Sequence, residues 1–229
     1  MKVVVSIGGS ILVPTVDSVR VAEYASMLAE LDDDGHELGI VVGGGPTARE
    51  YIDSARSLGA NEIELDQLGI AVTRLNARLL IAGLGDRASP APVQDHDRAK
   101  EVLHRGDIAV MGGTVAGHTT DAVATALAEH VDADLLVYAT SVPGVYDADP
   151  GQNGDATKYE SLSPGELVDI VSSIEMAAGS NAPVDLLATK LLQRSGLRAV
   201  VLDGTDPSGV VDAIDGAHSG TDVIPDSNE

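Results

Sequence analysis

The chain has 229 residues, and its 36 acidic side chains outnumber its 14 lysines and arginines, which gives a formal net charge of −22. With 44% hydrophobic residues it can bury a sizeable core, so wholesale disorder is excluded. The strong negative charge disfavours binding to nucleic acid or to acidic lipid surfaces. Because the chain contains no cysteine, disulfides and thiolate metal sites are excluded as well.

The acidic residues are spread along the whole chain, and its only aromatic residues are 5 tyrosines. This composition resembles that of proteins adapted to high internal salt. The Debye length falls to about 3 Å at 1 M salt, which screens the self-repulsion of such a surface. We therefore expect a halophilic protein that loosens in dilute buffer.

The apolar runs typical of strands, such as residues 3–7 and 40–42, are far shorter than the roughly 20 residues of a membrane-spanning helix. We expect no transmembrane segment. Met1 and Lys2 lead directly into the first of these runs, without the basic and apolar regions of a secretion signal. The expected location is the cytoplasm.

Short β-branched runs alternate with longer amphipathic stretches, which is the pattern of an α/β fold. Residues 141–157 are rich in Pro, Gly, Asp and Asn and lack periodicity, which is typical of a functional loop or of a domain boundary. In chain order, the expected elements are a strand over 2–7, a helix over 16–32, a strand over 37–42, helices over 46–58 and 62–84, a strand over 107–111, a helix over 121–130, a strand over 135–139, helices over 164–172 and 183–195, and a strand over 198–202.

Glycine-rich turns follow strands or precede helices at residues 8–10, 43–47, 112–120 and 140–149. Ligands of an open α/β sheet bind outside the carboxyl ends of its strands, so these turns are expected to converge on one crevice. Glycine permits close approach of the backbone, and the N–H groups that open a helix attract anions. The pattern predicts a phosphate site built largely from backbone.

Two familiar phosphate motifs also contain glycine-rich turns. None of the lysines follows a glycine, which excludes a P-loop. Residues 43–48 match the dinucleotide pattern G-x-G-x-x-G/A, but the acid expected about 20 residues later should end a second strand. Asp66 lies instead near the start of a predicted helix. A dinucleotide-binding oxidoreductase remains an alternative.

Six segments together resemble the archaeal-type uridylate (UMP) kinases of the amino acid kinase superfamily: SIGGSIL, VVGGGPTARE, DQLGIAVTRLNARLL, VMGGTVAGHTTDAVA, TSVPGVYDADP and LLATKLLQRSG. The resemblance runs through nearly the whole chain. It implies a three-layer α/β/α sandwich with a central, mostly parallel sheet. It also implies one domain over 1–229, with a mainly UMP-binding first part and a mainly ATP-binding part from about residue 135.

The implied activity is reversible transfer of the ATP γ-phosphate to UMP, giving UDP and ADP, in pyrimidine nucleotide synthesis. The resemblance implies Mg²⁺ as the cofactor. No His, Asp and Glu cluster in the sequence has the spacing of a protein-only metal site, so the ion is expected to arrive with ATP. The implied partners are ATP and UMP, and the implied assembly is a homohexamer, a trimer of dimers.

The resemblance assigns two of the ATP-binding residues, Ser10 and Arg49, to catalysis as well. An arginine fork can neutralise phosphate charge, although Arg49 could instead form a surface pair with Asp53. Asp149 could instead be an ordinary surface acid. The ATP-binding residues implied by the resemblance are Gly9, Ser10, Gly45, Arg49, Thr140, Tyr146 and Asp149.

On the UMP side, Asp66 corresponds to a carboxylate that accepts hydrogen bonds from the ribose hydroxyls, or it is simply a helix N-terminal acid. Val115 and Ala116 replace a His-Pro pair of some relatives. His118 is interpreted as a loop or base contact, since phosphoryl transfer needs positioning more than a strong base. The implied UMP-binding residues are Gly44, Asp66, Thr114, Val115, Ala116, Gly117, His118, Thr119 and Thr120.

Ser6 departs from many kinases of the superfamily, which carry a lysine two residues before the first glycine of this loop. The transferring charge must then be neutralised by Mg²⁺, by Arg49, by backbone N–H groups or by another lysine such as Lys190. Lys190 could also be a solvated helix residue, and Asp185 could organise this end of the site.

Three other functions stay open from the sequence. A carbamate, acetylglutamate or isopentenyl phosphate kinase would share the ATP half. A non-catalytic nucleotide sensor is conceivable because of Ser6. The dinucleotide-binding oxidoreductase is the third.

Overall fold

The computed structural model describes residues 1–148, 150, 153–175 and 183–225. Its centre is a 7-stranded sheet in the order β3-β2-β1-β4-β6-β7-β5. The strands are β1 (Lys2–Ile7), β2 (Glu37–Val42), β3 (Ala109–Met111), β4 (Leu135–Thr140), β5 (Ser161–Leu162), β6 (Ala199–Asp203) and β7 (Thr221–Val223). Neighbouring strands are parallel except β6 and β7. The mostly parallel sheet expected from the sequence is confirmed.

Helices cover both faces of this sheet. They are α1 (Gly9–Leu12), α2 (Val19–Asp33), α3 (Gly45–Ser57), α4 (Glu62–Leu84), α5 (His96–His104), α6 (Thr120–His130), α7 (Pro164–Glu175), α8 (Leu186–Ser195) and α9 (Ser208–Asp215). Alternate residues of each inner strand point to opposite faces, so a strand buried on both sides is apolar throughout. β1 is an example, because Val3 and Val5 pack with α2, α4 and α9 while Val4 packs with the layer of α5, α6, α7 and α8. The three-layer α/β/α sandwich is confirmed.

α4 is the longest described helix and has a well-defined start. Asn61 accepts a hydrogen bond from Glu64 N (3.1 Å), and Glu64 Oε2 accepts one from Asn61 N (2.8 Å), which completes a capping box. By length and composition the helical segment Glu62–Arg87 could cross a membrane, contrary to the expectation that no segment is long enough. In the fold, α4 buries Ala77 and Leu80 in the core, as core helices of soluble proteins do.

Five short elements were missing from the predicted order. They are α1, α5, α9, the antiparallel strand β7 and the two-residue strand β5 that pairs with β7. Each is too short for periodicity to separate it from a loop. The helix expected over 16–32 begins later, at Val19, because Thr15 and Asp17 form a local hydrogen-bonded turn before it (2.7 Å).

Candidate active site

The predicted glycine turns converge at the carboxyl ends of adjacent strands. Gly8 N donates to Ala139 O (3.0 Å), which joins the turn after β1 to the end of β4. Gly43 N donates to Ile7 O (2.9 Å), which joins the turn after β2 to the end of β1. Three of the four turns are therefore tied together by backbone hydrogen bonds.

Gly9 lies in backbone contact with the turn Gly43 to Gly45. A Cβ atom on Gly9 would lie 2.1 Å from Gly45 N, and one on Gly45 would lie 2.4 Å from Gly9 C. Gly45 also has φ +64°, a conformation that disfavours side chains. No residue other than glycine fits at these two positions. The two turns form one continuous surface of backbone N–H groups, which can bind anions. We call it the glycine surface.

Asn76, a buried residue of α4, holds this surface from behind. Its Nδ2 donates to Gly43 O (2.9 Å) and to Gly44 O (3.2 Å). Asn76 was not among the residues predicted from the sequence. Its signal was an amide in the apolar stretch of a long helix, where a buried polar group needs partners.

Arg49 lies one turn inside α3 and reaches the loop after β1. Its Nη2 donates to Ser10 Oγ (3.3 Å). The alternative pairing with Asp53 is not formed, because Asp53 pairs with Arg56 (3.4 Å). The structure therefore brings together the two residues predicted to be catalytic, and it directs a cation to the glycine surface.

The loop after β3 is fixed to α4 at two levels. Gly113 N donates to Thr73 Oγ1 (2.7 Å), and Gly117 N donates to Asp66 Oδ2 (2.7 Å). Asp66 lies in the second turn of α4, after the capping box, so capping is carried by Asn61 and not by Asp66. The Asp66 carboxylate is thus a loop-binding group with one oxygen left for further contacts.

α6 begins at the end of the same loop. Thr119 caps it through a hydrogen bond from Ala122 N to Thr119 Oγ1 (3.1 Å), and Thr120 is its first residue. The Thr119 hydroxyl also donates to Asp185 Oδ2. Asp185 in turn caps α8 by accepting from Leu187 N (2.8 Å) and Ala188 N (3.0 Å). Asp185 therefore couples the start of α8 to the start of α6.

Ser6 and Asp121 form a second contact between β1 and α6. Ser6 is buried, and its Oγ donates to Asp121 Oδ1 (2.8 Å). Burial raises the pKa of Asp121 to about 6, the hydrogen bond from Ser6 opposes that rise, and the charge of Asp185 adds to it. The position that carries lysine in many superfamily kinases here carries a hydroxyl bonded to a carboxyl group.

The other predicted residues occupy varied positions. Val115 and His118 are exposed, and His118 N closes a turn to Val115 O (3.2 Å). Thr114 and Ala116 line a cleft of about 300 Å³ beside α4. Thr140 ends β4 opposite Asp203, whereas Tyr146 pairs with Lys158 in an isolated β-bridge farther out. Asp149 lies outside the described residues.

A protein-only metal site is not formed in the part of the chain that the structure describes, since no three His, Asp or Glu side chains there group to hold an ion. Asp121 and Asp185 are the acidic side chains at the starts of α6 and α8. Carboxylates of this kind suit Mg²⁺. The ion usually keeps several waters and is bound by one or two carboxylates together with substrate phosphates.

The amino acid kinase family description matches residues 1–203. Uridylate kinase from Haloarcula marismortui is 64% identical over 228 residues, which are 99% of this chain and 100% of that protein. Uridylate kinase from Halobacterium salinarum is 62% identical over 230 residues, which are 100% of this chain and 95% of that protein. The crystal structure of uridylate kinase from Archaeoglobus fulgidus has a TM-score of 0.89 and 44% identity, covering 97% of this chain and 100% of that one.

The fold and the site define a phosphotransferase of the α/β class. The chain belongs to the amino acid kinase family, and within it to the uridylate kinases. The relatives from Haloarcula and Halobacterium support the expected halophilic character. The alternative of a dinucleotide-binding oxidoreductase loses its support, because Asp66 belongs to helix α4 and does not end a strand.

Proposed function

We propose that the chain transfers the γ-phosphoryl group of ATP reversibly to UMP. The bond between the γ-phosphorus and the β,γ-bridging oxygen breaks, a bond to a UMP phosphate oxygen forms, and ADP and UDP leave. The acceptor is already an anion, so the step needs positioning and charge neutralisation more than a base. The observation that carries this proposal is the shared backbone surface of Gly9 and Gly45, with the Arg49 guanidinium beside it.

The donor side consists of the loop after β1 and the residues near it. Ser10 and the N–H groups of Gly9 and Gly45 bind the γ-phosphate, and Arg49 stabilises the charge that develops as the phosphoryl group moves. Thr140 and Tyr146 contact the adenosine, and Asp149 completes that contact.

The acceptor side lies across the glycine surface. The start of α6, at Thr119 and Thr120, offers backbone N–H groups and a helix dipole to the UMP phosphate. Gly44 supports the same phosphate, and Asp66 accepts hydrogen bonds from the ribose hydroxyls. The loop from Thr114 to His118 encloses the base through Val115, Ala116 and Gly117.

Asp121 and Asp185, at the starts of α6 and α8, would hold the Mg²⁺ that accompanies ATP, and the ion would supply positive charge to the β- and γ-phosphates. In this arrangement the residues before about 135 bind mainly UMP and those after it mainly ATP, within one domain over 1–229. Both substrates are cytoplasmic metabolites, so we place the enzyme there.

The proposed assembly is a homohexamer, a trimer of dimers. Its support is an apolar surface on α4 and α2, with exposed side chains at Val19, Leu75 and Leu79 and an apolar cleft of about 480 Å³ that Leu79 helps to line. Light scattering in high KCl measures the mass. Leu75→Glu should yield smaller species, whereas Leu187→Glu, at an exposed site on α8, should leave the hexamer intact.

The decisive experiment is an ADP-release assay in high KCl with Mg²⁺-ATP, comparing UMP, CMP, carbamate, acetylglutamate and isopentenyl phosphate as acceptors. A strong preference for UMP is expected. Turnover of another acceptor alone would favour a different kinase of the family. Binding of ATP without any turnover would favour a nucleotide sensor.

A further inference from the structure

The loop after β3 crosses α4, and both ends of the loop contact the helix. At one end Gly117 N donates to Asp66 Oδ2 (2.7 Å), and at the other Arg74 Nε donates to Gly113 O (3.1 Å). Asp66 and Arg74 are eight residues apart on one helix, which corresponds to about 12 Å along its axis. Between the two contacts the loop and the helix enclose the cleft of about 300 Å³ described above, which we call the α4 cleft.

The walls of the α4 cleft suit a flat ring. Ile70 and Ala71 come from α4, Ala116 comes from the loop, and Gln67 and Thr114 complete the lining. Small-molecule sites combine apolar surface with polar groups at fixed positions, and this cleft offers three apolar and three polar side chains.

Arg74 supplies the only charge among the residues that line the cleft. Its Nε is bound to Gly113 O, and none of the ion pairs formed among the described residues involves it. The guanidinium therefore keeps N–H donors on its two Nη atoms for a ligand. Side chains of a helix lean toward its N-terminus, which directs the Arg74 head group along the cleft toward Asp66.

We propose that Arg74 is the residue that selects uracil over cytosine, an inference that rests on the proposed use of UMP as acceptor. With the ribose held by Asp66, the base enters the α4 cleft and turns its O4 edge toward the Arg74 Nη groups. Uracil O4 is an acceptor and receives a hydrogen bond from the guanidinium. Cytosine carries an amino group at that position, so two donors would face each other and the cation would lose its partner.

The base is then selected without an acidic side chain in the α4 cleft. Arginine is donor-only and stays protonated, so its preference for a carbonyl oxygen does not change with pH. Loss of a hydrogen bond to a charged group costs at least about tenfold in affinity.

The test compares kcat/KM for UMP and for CMP in the full-length protein, in high KCl with Mg²⁺-ATP. Arg74→Met keeps the length of the side chain and removes the donors. The ratio of the two kcat/KM values should fall at least about tenfold, mainly through UMP, while KM for ATP stays within twofold. Arg78→Met, one turn farther along α4 at an exposed position, is the matched control and should leave the ratio unchanged.

Arg74→Lys keeps a cation and is the test variant if Arg74→Met fails to fold. It should lower the ratio of kcat/KM for UMP to kcat/KM for CMP less than methionine does. An unchanged ratio in the folded variant, or equal losses for UMP and CMP, would overturn the proposal and leave Arg74 as a loop anchor. Wild-type protein that turns over neither nucleotide would instead refute the proposed function.

Discussion

The Ser6 hydroxyl donates a hydrogen bond to Asp121 Oδ1 at 2.8 Å, and this contact joins the end of β1 to the first turn of α6. It places a carboxyl group with a pKa of about 6 beside the glycine surface. The same position on β1 would carry an ammonium group in many related kinases. An anionic phosphate bound nearby would raise the pKa of Asp121 further, because like charges disfavour the ionised form.

Asp121→Asn should change how stability depends on pH. The pKa of Asp121 rises from 3.8 in the unfolded chain to about 6 in the folded protein. The folded state therefore binds more protons in that range, and the stability from this group, present below about pH 4, is lost as the pH rises through about 6. Asparagine removes the loss, so urea unfolding at pH 7.5 should show the variant more stable by up to about 3 kcal/mol.

At pH 4 that difference should vanish. Asp212→Asn removes an exposed acid on α9 and serves as the control for the change in net charge. If both variants show the same pH dependence, Asp121 is not the group that titrates near 6.

Ser6→Ala should destabilise the protein more at pH 7.5 than at pH 5. At the higher pH the hydroxyl donates to an ionised carboxylate, and such hydrogen bonds are stronger than neutral ones. The expected losses are about 2 kcal/mol at pH 7.5 and about 1 kcal/mol at pH 5. Ser89→Ala, another buried serine whose Oγ donates to Ala91 O (2.9 Å), should show no such difference.

Arg49→Ala should lower kcat by about 100-fold or more, because the guanidinium acts on charge that develops during transfer. Steady-state kinetics with UMP and ATP measure the effect. Arg56→Ala is the control, since Arg56 lies on the same helix and pairs only at the surface with Asp53 and Glu62 (3.4 Å each). An unchanged rate in Arg49→Ala would reduce its contact with Ser10 to a surface interaction.

Asp66→Ala should raise KM for UMP at least about tenfold and leave KM for ATP nearly unchanged, since a ribose contact is ground-state binding. Part of the effect comes from release of Gly117, which the carboxylate holds at 2.7 Å. Glu62→Gln, an exposed change on the same helix, should alter neither KM. Equal increases for both substrates would contradict the assignment.

Lowering KCl from 3 M to 0.1 M should lower the melting temperature, because the net charge of −22 is then screened over about 10 Å instead of about 2 Å. Scanning calorimetry across the KCl series measures the trend. Restoring the salt should restore the original value. A melting temperature independent of KCl would show that the acidic surface does not govern stability.

The sequence predicted those parts of the fold that have long, bounded patterns. β1, β2 and α4 have the expected limits, since Gly8 and Gly43 end the apolar runs and Asn61 caps the helix. The glycine turns were found for the same reason, and their convergence followed from the parallel sheet.

What the sequence could not provide are contacts between distant residues. Ser6 and Asp121 are 115 positions apart, and Thr119 and Asp185 are 66 apart. Nothing local marks either pair. The role of Arg74 could not be predicted from the sequence either. An arginine in a helix resembles any solvated arginine until the loop after β3 is placed over it.

The contact between Gly9 and Gly45 fixes a length inside the active site. The surface of this protein responds to salt through its many charges, but main chains in van der Waals contact have no charge for ions to screen. The spacing of the two glycine turns is therefore set by main-chain contact and by the hydrogen bonds of Gly43 and Asn76, none of which involves a net charge. An enzyme whose stability varies with ionic strength can keep its reacting groups at a constant separation by building their spacer from bare backbone.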